Sequence, residues 1–290
     1  MIRMKPSYRM NGAFRMPLGF PAENFASAIA YEAQAGDIFV ATYPKSGTTW
    51  VQYIVYLLLN GGVPLPADHQ IGNSIPHLEE VGAECAKALP MPRVIKTHFT
   101  LDFMITNPKA RYITVARNPF DCAVSFYHHT RGFERHYQFS RGTFDDFFEC
   151  FLAGEVDWGD YFDSLASWFG HRKDKNVLFL TYESMKLDSK KAIAQIASFL
   201  DLPNAKDEFK LAEIDYHSSF DEMCQSLERW SSRRPDDMPA FIRKGIVGDW
   251  RNYFSVNQAH RLVEKFERRA AIAGFDNLWT DILDAARRMT

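Results

Sequence analysis

Four short stretches of the chain concentrate residue types that bind anions or move protons. The first is Tyr43-Pro44-Lys45-Ser46-Gly47-Thr48-Thr49-Trp50. A turn through Gly47 lets backbone N–H groups converge at a helix N-terminus, while Lys45 adds a cation and Ser46, Thr48 and Thr49 add hydroxyls. That chemistry suits a phosphate or a sulfate. An ordinary strand-to-helix turn would account for Gly47 and Thr48 but not for the whole string. The nucleoside-triphosphatase pattern G-x-x-x-x-G-K-[ST] is not in it, because it has one glycine and Lys45 precedes that glycine.

Two further stretches are anion-friendly. Arg117-Asn118-Pro119 leads from an apolar run into a helical pattern that carries Ser125 two turns further on. A guanidinium at the end of a buried strand is costly without an anionic partner. Phe241-Ile242-Arg243-Lys244-Gly245-Ile246-Val247-Gly248-Asp249-Trp250 sets two adjacent cations before two glycines, which allow close backbone approach to a phosphate. Three such clusters point to one ligand with two well-separated anionic ends. The fourth stretch, Lys96-Thr97-His98, places a histidine beside a lysine at a strand end. The neighbouring cation lowers the imidazole pKa and favours its neutral form, as a general base requires. His128 and His129 are adjacent on a helix and face different ways, and no HExxH occurs, so no metal is expected.

The elements that must position these groups are legible from periodicity. Apolar runs at Asp37–Thr42, Arg93–Lys96, Tyr112–Ala116 and Val177–Thr181 predict buried strands. Their near-continuous apolar character predicts a parallel sheet covered by helices on both faces. Helical patterns cover Thr48–Leu59, Pro119–Thr130, Phe144–Leu152, Tyr161–Phe169, Ser189–Leu200 and Asn257–Ala273. Asn118 is the expected N-cap with Pro119 at the first helical position, and Ser219-Phe220-Asp221-Glu222 has the form of a capping box. This alternation predicts an α/β, doubly wound fold of one domain over residues 1–290, with its ligand at the carboxyl edge of the sheet.

Composition narrows the function classes. With 34 Lys+Arg against 36 Asp+Glu the net charge is −2, which argues against a partner such as nucleic acid. The cysteines at 85, 122, 150 and 224 show no paired or metal-ligand spacing and fit a reducing compartment. The polar, basic stretch Met1–Asn11 has no apolar segment, and the run Trp50–Leu59 is half the ~20 residues a bilayer span needs. A cytoplasmic protein without leader, anchor or membrane partner is expected. The 24 Phe, 12 Tyr and 6 Trp favour a large core and a pocket for flat, apolar molecules.

Taken together, YPKSGTTW (43–50), KTH (96–98), RNPFDCAVS (117–125) and RKGIVGDW (243–250) closely resemble the signature segments of the cytosolic sulfotransferases, in the same order over about residues 19–275. The resemblance implies a P-loop-like loop for phosphosulfate and transfer of a sulfuryl group from 3′-phosphoadenosine 5′-phosphosulfate (PAPS) to a hydroxyl or amine of a small molecule. By that likeness Lys45, Ser46, Gly47, Thr48 and Thr49 hold the 5′-phosphosulfate, and Trp50 and Phe220 stack on the adenine. Arg117, Ser125, Arg243, Lys244 and Gly245, with Phe241 and Ile242 beside them, hold the 3′-phosphate. Tyr182 matches a tyrosine at the adenine edge, and Ser218 and Met223 match further nucleotide contacts. His98 corresponds to the catalytic base, with Lys45 and Lys96 stabilising charge on the transferring group and the leaving oxygen. By analogy Phe25, Ile75, His77, Leu78, Phe99, Tyr127 and Val156 line the acceptor pocket. The acceptor itself stays open among phenols, hydroxysteroids and other alcohols.

Two segments depart from the family pattern. The stretch Cys224–Ala240, where relatives gate the site, is short and highly charged. Arg251–His260 aligns with a small dimerisation segment but carries Arg251, Ser255 and His260 where Lys, Thr and Glu are usual, so a monomer or a weak homodimer is expected. The competing readings are a P-loop-type nucleotide phosphotransferase, a non-catalytic nucleotide or lipophile binder, and a sulfotransferase-like dehydratase.

Overall fold

The four apolar runs assemble as one parallel sheet in the computed structural model, which describes residues 4–12, 14–231, 238 and 240–290. A short antiparallel hairpin, β1 (Arg9–Asn11) and β2 (Phe14–Met16), precedes it. The sheet strands are β3 (Ile38–Ala41), β4 (Val94–Thr97), β5 (Arg111–Ala116) and β6 (Val177–Thr181), in spatial order β4-β3-β5-β6. Register pairs Val40 with Lys96 on one side and with Ile113 on the other, and Ala116 with Thr181.

Strand periodicity divides the core. Ile38, Val40, Ile113 and Val115 face one layer, where they meet Val51, Ile54 and Leu58 of helix Thr48–Leu59 and Ile193 and Ile196 of helix Ser189–Phe199. Phe39, Ala41, Ile95 and Tyr112 face the other, and the register neighbours Phe39 and Tyr112 stack at 5.2 Å. A third cluster, rich in phenylalanine, is made by helices Pro119–Gly132, Phe144–Ala153, Tyr161–Gly170 and Val256–Ala273. Each fully buried Phe in it contributes about 1.5–3 kcal/mol of transfer free energy.

The caps follow the local chemistry. The Asn118 side chain accepts from the Asp121 N–H and Pro119 takes the first position, as expected. Complete capping boxes occur at Thr143/Asp146 and Ser255/Gln258. The Ser219 box is only half formed: Ser219 Oγ accepts from the Glu222 N–H, but the Glu222 carboxylate accepts from Tyr216 and Gln225 instead. Helices Ala22–Ile29, Glu208–His217 and Thr280–Arg287 and the hairpin are additions to the sequence reading.

Thr42, His98, Arg117 and Tyr182 thus follow the ends of adjacent strands at one edge of the sheet. The chain leaves β3 for β4 on one flank and returns to β5 on the other, so the switch point lies between the loops that follow β3 and β5. Those loops carry Lys45 and Arg117.

Candidate active site

Loop 43–47 takes up a conformation that costs energy unless a ligand or the fold uses it. Lys45 has φ 68° and Gly47 φ 107°, both left-handed, a backbone geometry suited to an anion-binding turn at the start of helix Thr48–Leu59. Thr48 Oγ1 is fixed by Thr42 Oγ1 at 2.6 Å. Lys45 Nζ lies 4.1 Å from the Phe241 ring centre, which brings the first and third sequence clusters together. Lys45, Gly47, Thr48, Thr49 and Trp50 line a cleft of about 510 Å³. Ser46 does not: it is fully buried and lies among Thr114, Tyr161 and Ser164 behind the loop.

Arg117, Ser125, Tyr182, Ser218, Phe220, Met223 and residues 241–245 line the same cleft beside the loop. Arg117 packs over the Tyr182 ring at 4.3 Å and donates to the carbonyls of Lys45 (3.3 Å) and Ile246 (3.1 Å). Its buried Nε has no partner. Among the described residues no carboxylate pairs with it, so the anionic partner expected from its position is not a side chain. Arg243 and Lys244 differ, because both bond the buried Asp249, at 2.5 and 2.6 Å. Although burial raises it, bonds from Lys244, Asn252 and Arg243 hold the Asp249 carboxyl down at about 2. Gly245, at φ 63°, has the Phe220 ring so close that a Cβ would stand 2.4 Å from it. The cleft therefore meets the needs of a nucleotide with two anionic ends: a nest of N–H groups, an unpaired guanidinium, and a flat ring against a glycine.

Two carboxylates that sequence reasoning missed, buried Asp121 and half-buried Glu183, hold this part of the cleft together. Asp121 accepts from the N–H groups of Gly248 (2.7 Å) and Trp250 (3.0 Å) and from Asn118 Nδ2 (2.9 Å). Glu183 accepts from the Asn118 N–H (2.9 Å) and from Trp279 Nε1 (2.6 Å). An acidic residue in a helix's first turn was the only signal for Asp121.

In the same cleft His98 Nδ1 lies 2.7 Å from the carbonyl oxygen of Thr42. A carbonyl only accepts, so Nδ1 carries the proton and Nε2 the lone pair. Burial first, then Lys96 and His77, push the His98 pKa well below its usual value, against the opposing pull of Glu79. Lys96 itself is lowered by burial, offset by Glu80 and Glu79. Glu79, fully buried, accepts from Thr97 Oγ1, the His98 N–H and Trp158 Nε1 and so fixes the strand end that bears His98.

The sulfotransferase domain family model matches residues 35–274 of the chain. The chain belongs to the sulfotransferase family. It is similar to Sulfotransferase 1B1 of Mus musculus, 36% identical over 278 residues that cover 88% of this chain and 91% of the relative. It is similar also to Sulfotransferase 1C2 of Homo sapiens, 34% identical with 85% and 87% covered. Among solved structures, a mouse sulfotransferase complexed with PAP, the desulfated donor, superposes with TM-score 0.74 at 28% identity over 97% of both chains. A retinol dehydratase in complex with retinol and PAP superposes with TM-score 0.75 at 25% identity over 91% of this chain and 90% of that one. As a sulfotransferase the protein moves a sulfuryl group from PAPS to a small acceptor.

The acceptor side of this sulfotransferase differs from the set carried over by analogy. Of those seven residues only Ile75 and His77 line the cleft. Phe25, Leu78 and Phe99 are core beneath the hairpin, and Tyr127 and Val156 belong to the helical core. The aromatic residues that do line the cleft include Phe20, Phe133, Tyr137, Trp158 and Phe241, with His129 and His136. The charged loop contributes Trp230, whose Nε1 donates to the Met223 carbonyl at 2.7 Å while its ring meets Tyr53. Residues 232–237 and 239 of that loop lie outside the described residues.

Proposed function

We propose that this sulfotransferase sulfates a hydroxyl on a small, largely aromatic acceptor, with His98 as general base. The observation that carries the reading is the Thr42 carbonyl on His98 Nδ1, which leaves Nε2 as the only nitrogen of the ring able to take a proton. PAPS supplies an activated sulfuryl group. His98 Nε2 accepts the acceptor's O–H proton as that oxygen bonds to sulfur, and the bond from sulfur to the 5′-phosphate oxygen breaks. Lys45 and the N–H groups of its loop offset charge on the leaving oxygen, and Lys96 offsets charge on the transferring group. Arg117, Ser125, Arg243, Lys244 and Gly245 take the 3′-phosphate, and Trp50, Tyr182, Ser218, Phe220 and Met223 the adenosine.

We further read the chain as one catalytic domain, acting in a reducing, cytoplasmic setting and as a monomer or weak homodimer, without nucleic-acid or membrane partners. The four free cysteines, the net charge of −2 and the absence, among described residues, of a helix long and apolar enough to cross a membrane support that reading. The test is transfer of labelled sulfate from PAPS to a panel of phenols, hydroxysteroids and other alcohols by wild type and His98→Ala. The likeness to a retinol dehydratase favours one second reading, in which the sulfate ester is eliminated after it forms; an alkene product in place of the ester would establish it.

A further inference from the structure

Beside His98 the cleft holds a second buried imidazole, for which the transfer just described has no use. His77 is 93% buried, its ring edge-on to His98 at 4.8 Å, stacked on Trp158 and set against Phe20. The backbone holds it there, because the Lys96 N–H donates to the Pro76 carbonyl at 2.9 Å and so adds this segment to the edge of β4. Neither ring nitrogen has a hydrogen bond of normal length. Nε2 is unpartnered, 3.5 Å from Glu79 Oε2, which is unpartnered too, and Nδ1 is 3.8 Å from Glu80 Oε2. Burial and the nearby Lys96 keep the ring neutral, so it has one N–H and one lone pair. Both neighbours are carboxylates, which only accept; the nearer and fully buried one is Glu79, so the single N–H belongs on Nε2, and Nδ1, facing the more exposed Glu80, keeps a lone pair to which no group donates.

We propose that His77 selects the acceptor: it takes a hydrogen bond from a second hydroxyl on the carbon next to the one sulfated, so that the preferred acceptors are vicinal dihydroxy aromatics. This rests on His98 being the base. The two rings are edge to face and both line the cleft, so neighbouring oxygens on one aromatic ring can meet both, whereas a distant hydroxyl cannot. Phe20 and Trp158, which hold His77, supply apolar surface for that ring.

The test compares 2,3-dihydroxynaphthalene with 2,6-dihydroxynaphthalene, which has the same two hydroxyls far apart, and with 2-naphthol. Wild type should favour the 2,3-isomer over both by about tenfold or more in kcat/KM, the effect of one hydrogen bond to a buried group. In His77→Phe the ratio should fall to near one, and in His77→Gln, which keeps an acceptor, part of it should return. Binding of PAP reports that each variant is folded, and the Gln variant serves if the Phe variant binds none. Equal wild-type rates on the three, or a preference that survives His77→Phe, overturn the proposal and leave sulfation standing. The same compounds are titrated into the PAP-loaded enzyme by calorimetry. A His77-dependent binding preference without transfer would keep the hydrogen bond to His77 and refute sulfation of these acceptors, while no binding of any of them would overturn the role of His77.

Discussion

Removing the His98 ring tests the mechanism at the atom where it is most exposed to refutation. Nε2 can act only because Nδ1–H is held by the Thr42 carbonyl at 2.7 Å, so alanine removes both the base and its orientation. A positioned general base is worth about 10²–10⁴ in rate, or roughly 2.7–5.5 kcal/mol of barrier. The ring's contacts are with Thr42, His77 and Trp158, so PAP affinity should move by no more than about twofold. Wild-type turnover should fall on acidification, when the imidazole takes a proton and can no longer accept one. Since burial, Lys96 and His77 all lower the His98 pKa, that loss should lie below the ordinary value of about 6.5. Lys96→Met should shift it upward by removing one of the lowering charges, besides slowing transfer. The assays are kcat against pH at saturating PAPS with an acceptor from the panel, and calorimetry of PAP. Near-normal turnover in His98→Ala, or a wild-type acid limb above pH 7, would refute the assignment.

Arg243→Met should reduce the preference for PAP over adenosine 5′-phosphate by about 10- to 100-fold, the worth of one charge-assisted hydrogen bond, with little change for adenosine 5′-phosphate; equal losses in calorimetry would place the 3′-phosphate elsewhere. Gly245→Ala must bear a left-handed φ of 63° and displace Phe220, so PAP binding should weaken about tenfold, and unchanged affinity would mean that Phe220 does not touch the base. Asp157, raised to about 7 by burial although Tyr137 donates to it, binds a proton in the folded state that the unfolded chain lacks between about pH 4 and 7. It therefore adds stability as pH falls, and in Asp157→Asn the slope of unfolding free energy against pH should rise by up to ~1.4 kcal/mol per unit in that window; parallel wild-type and variant curves would contradict this. Sedimentation at micromolar concentration should find a monomer or a weak dimer, and a tight dimer broken by Val256→Glu would refute that expectation.

The donor end was legible in sequence because its chemistry is contiguous. Anion-binding groups sit on loops that follow strands directly, and a strand's apolar run fixes where the loop must start, so Lys45, Thr48, His98 and Arg117 were found together from one pattern. The acceptor wall was not legible, because apolar residues carry no mark of which face they turn to a cleft. Phe25 and Phe99 look no different in sequence from Phe20 and Phe133, yet only the latter two line it. Trp158 reaches the wall from a bend where it has φ 58°, a conformation that neighbouring Gly159 announces only for itself. Ser46 turns its side chain away from the cleft, because in a left-handed turn successive side chains diverge and residues adjacent in a string need not share a face.

The buried acids explain how a loop from the C-terminal third comes to face the switch point of the sheet. Arg243 and Lys244 would repel each other across a partly dehydrated pocket if nothing opposed them, and Asp249 opposes both while remaining an anion at any working pH. Asp121 then ties the N–H groups on either side of Asp249 to the helix that begins after Arg117, and Glu183 ties Asn118, the cap of that helix, to the segment after β6. Two strand ends and a distant loop are thus joined through carboxylates that do not line the cleft. A phosphate arriving beside Arg243 and Lys244 exchanges one anionic partner for another, whereas at Arg117, whose partners are the Lys45 and Ile246 carbonyls, it displaces no carboxylate. The same contact should therefore yield more net affinity at Arg117 than at Arg243, because only there is no existing ion pair weakened to make it.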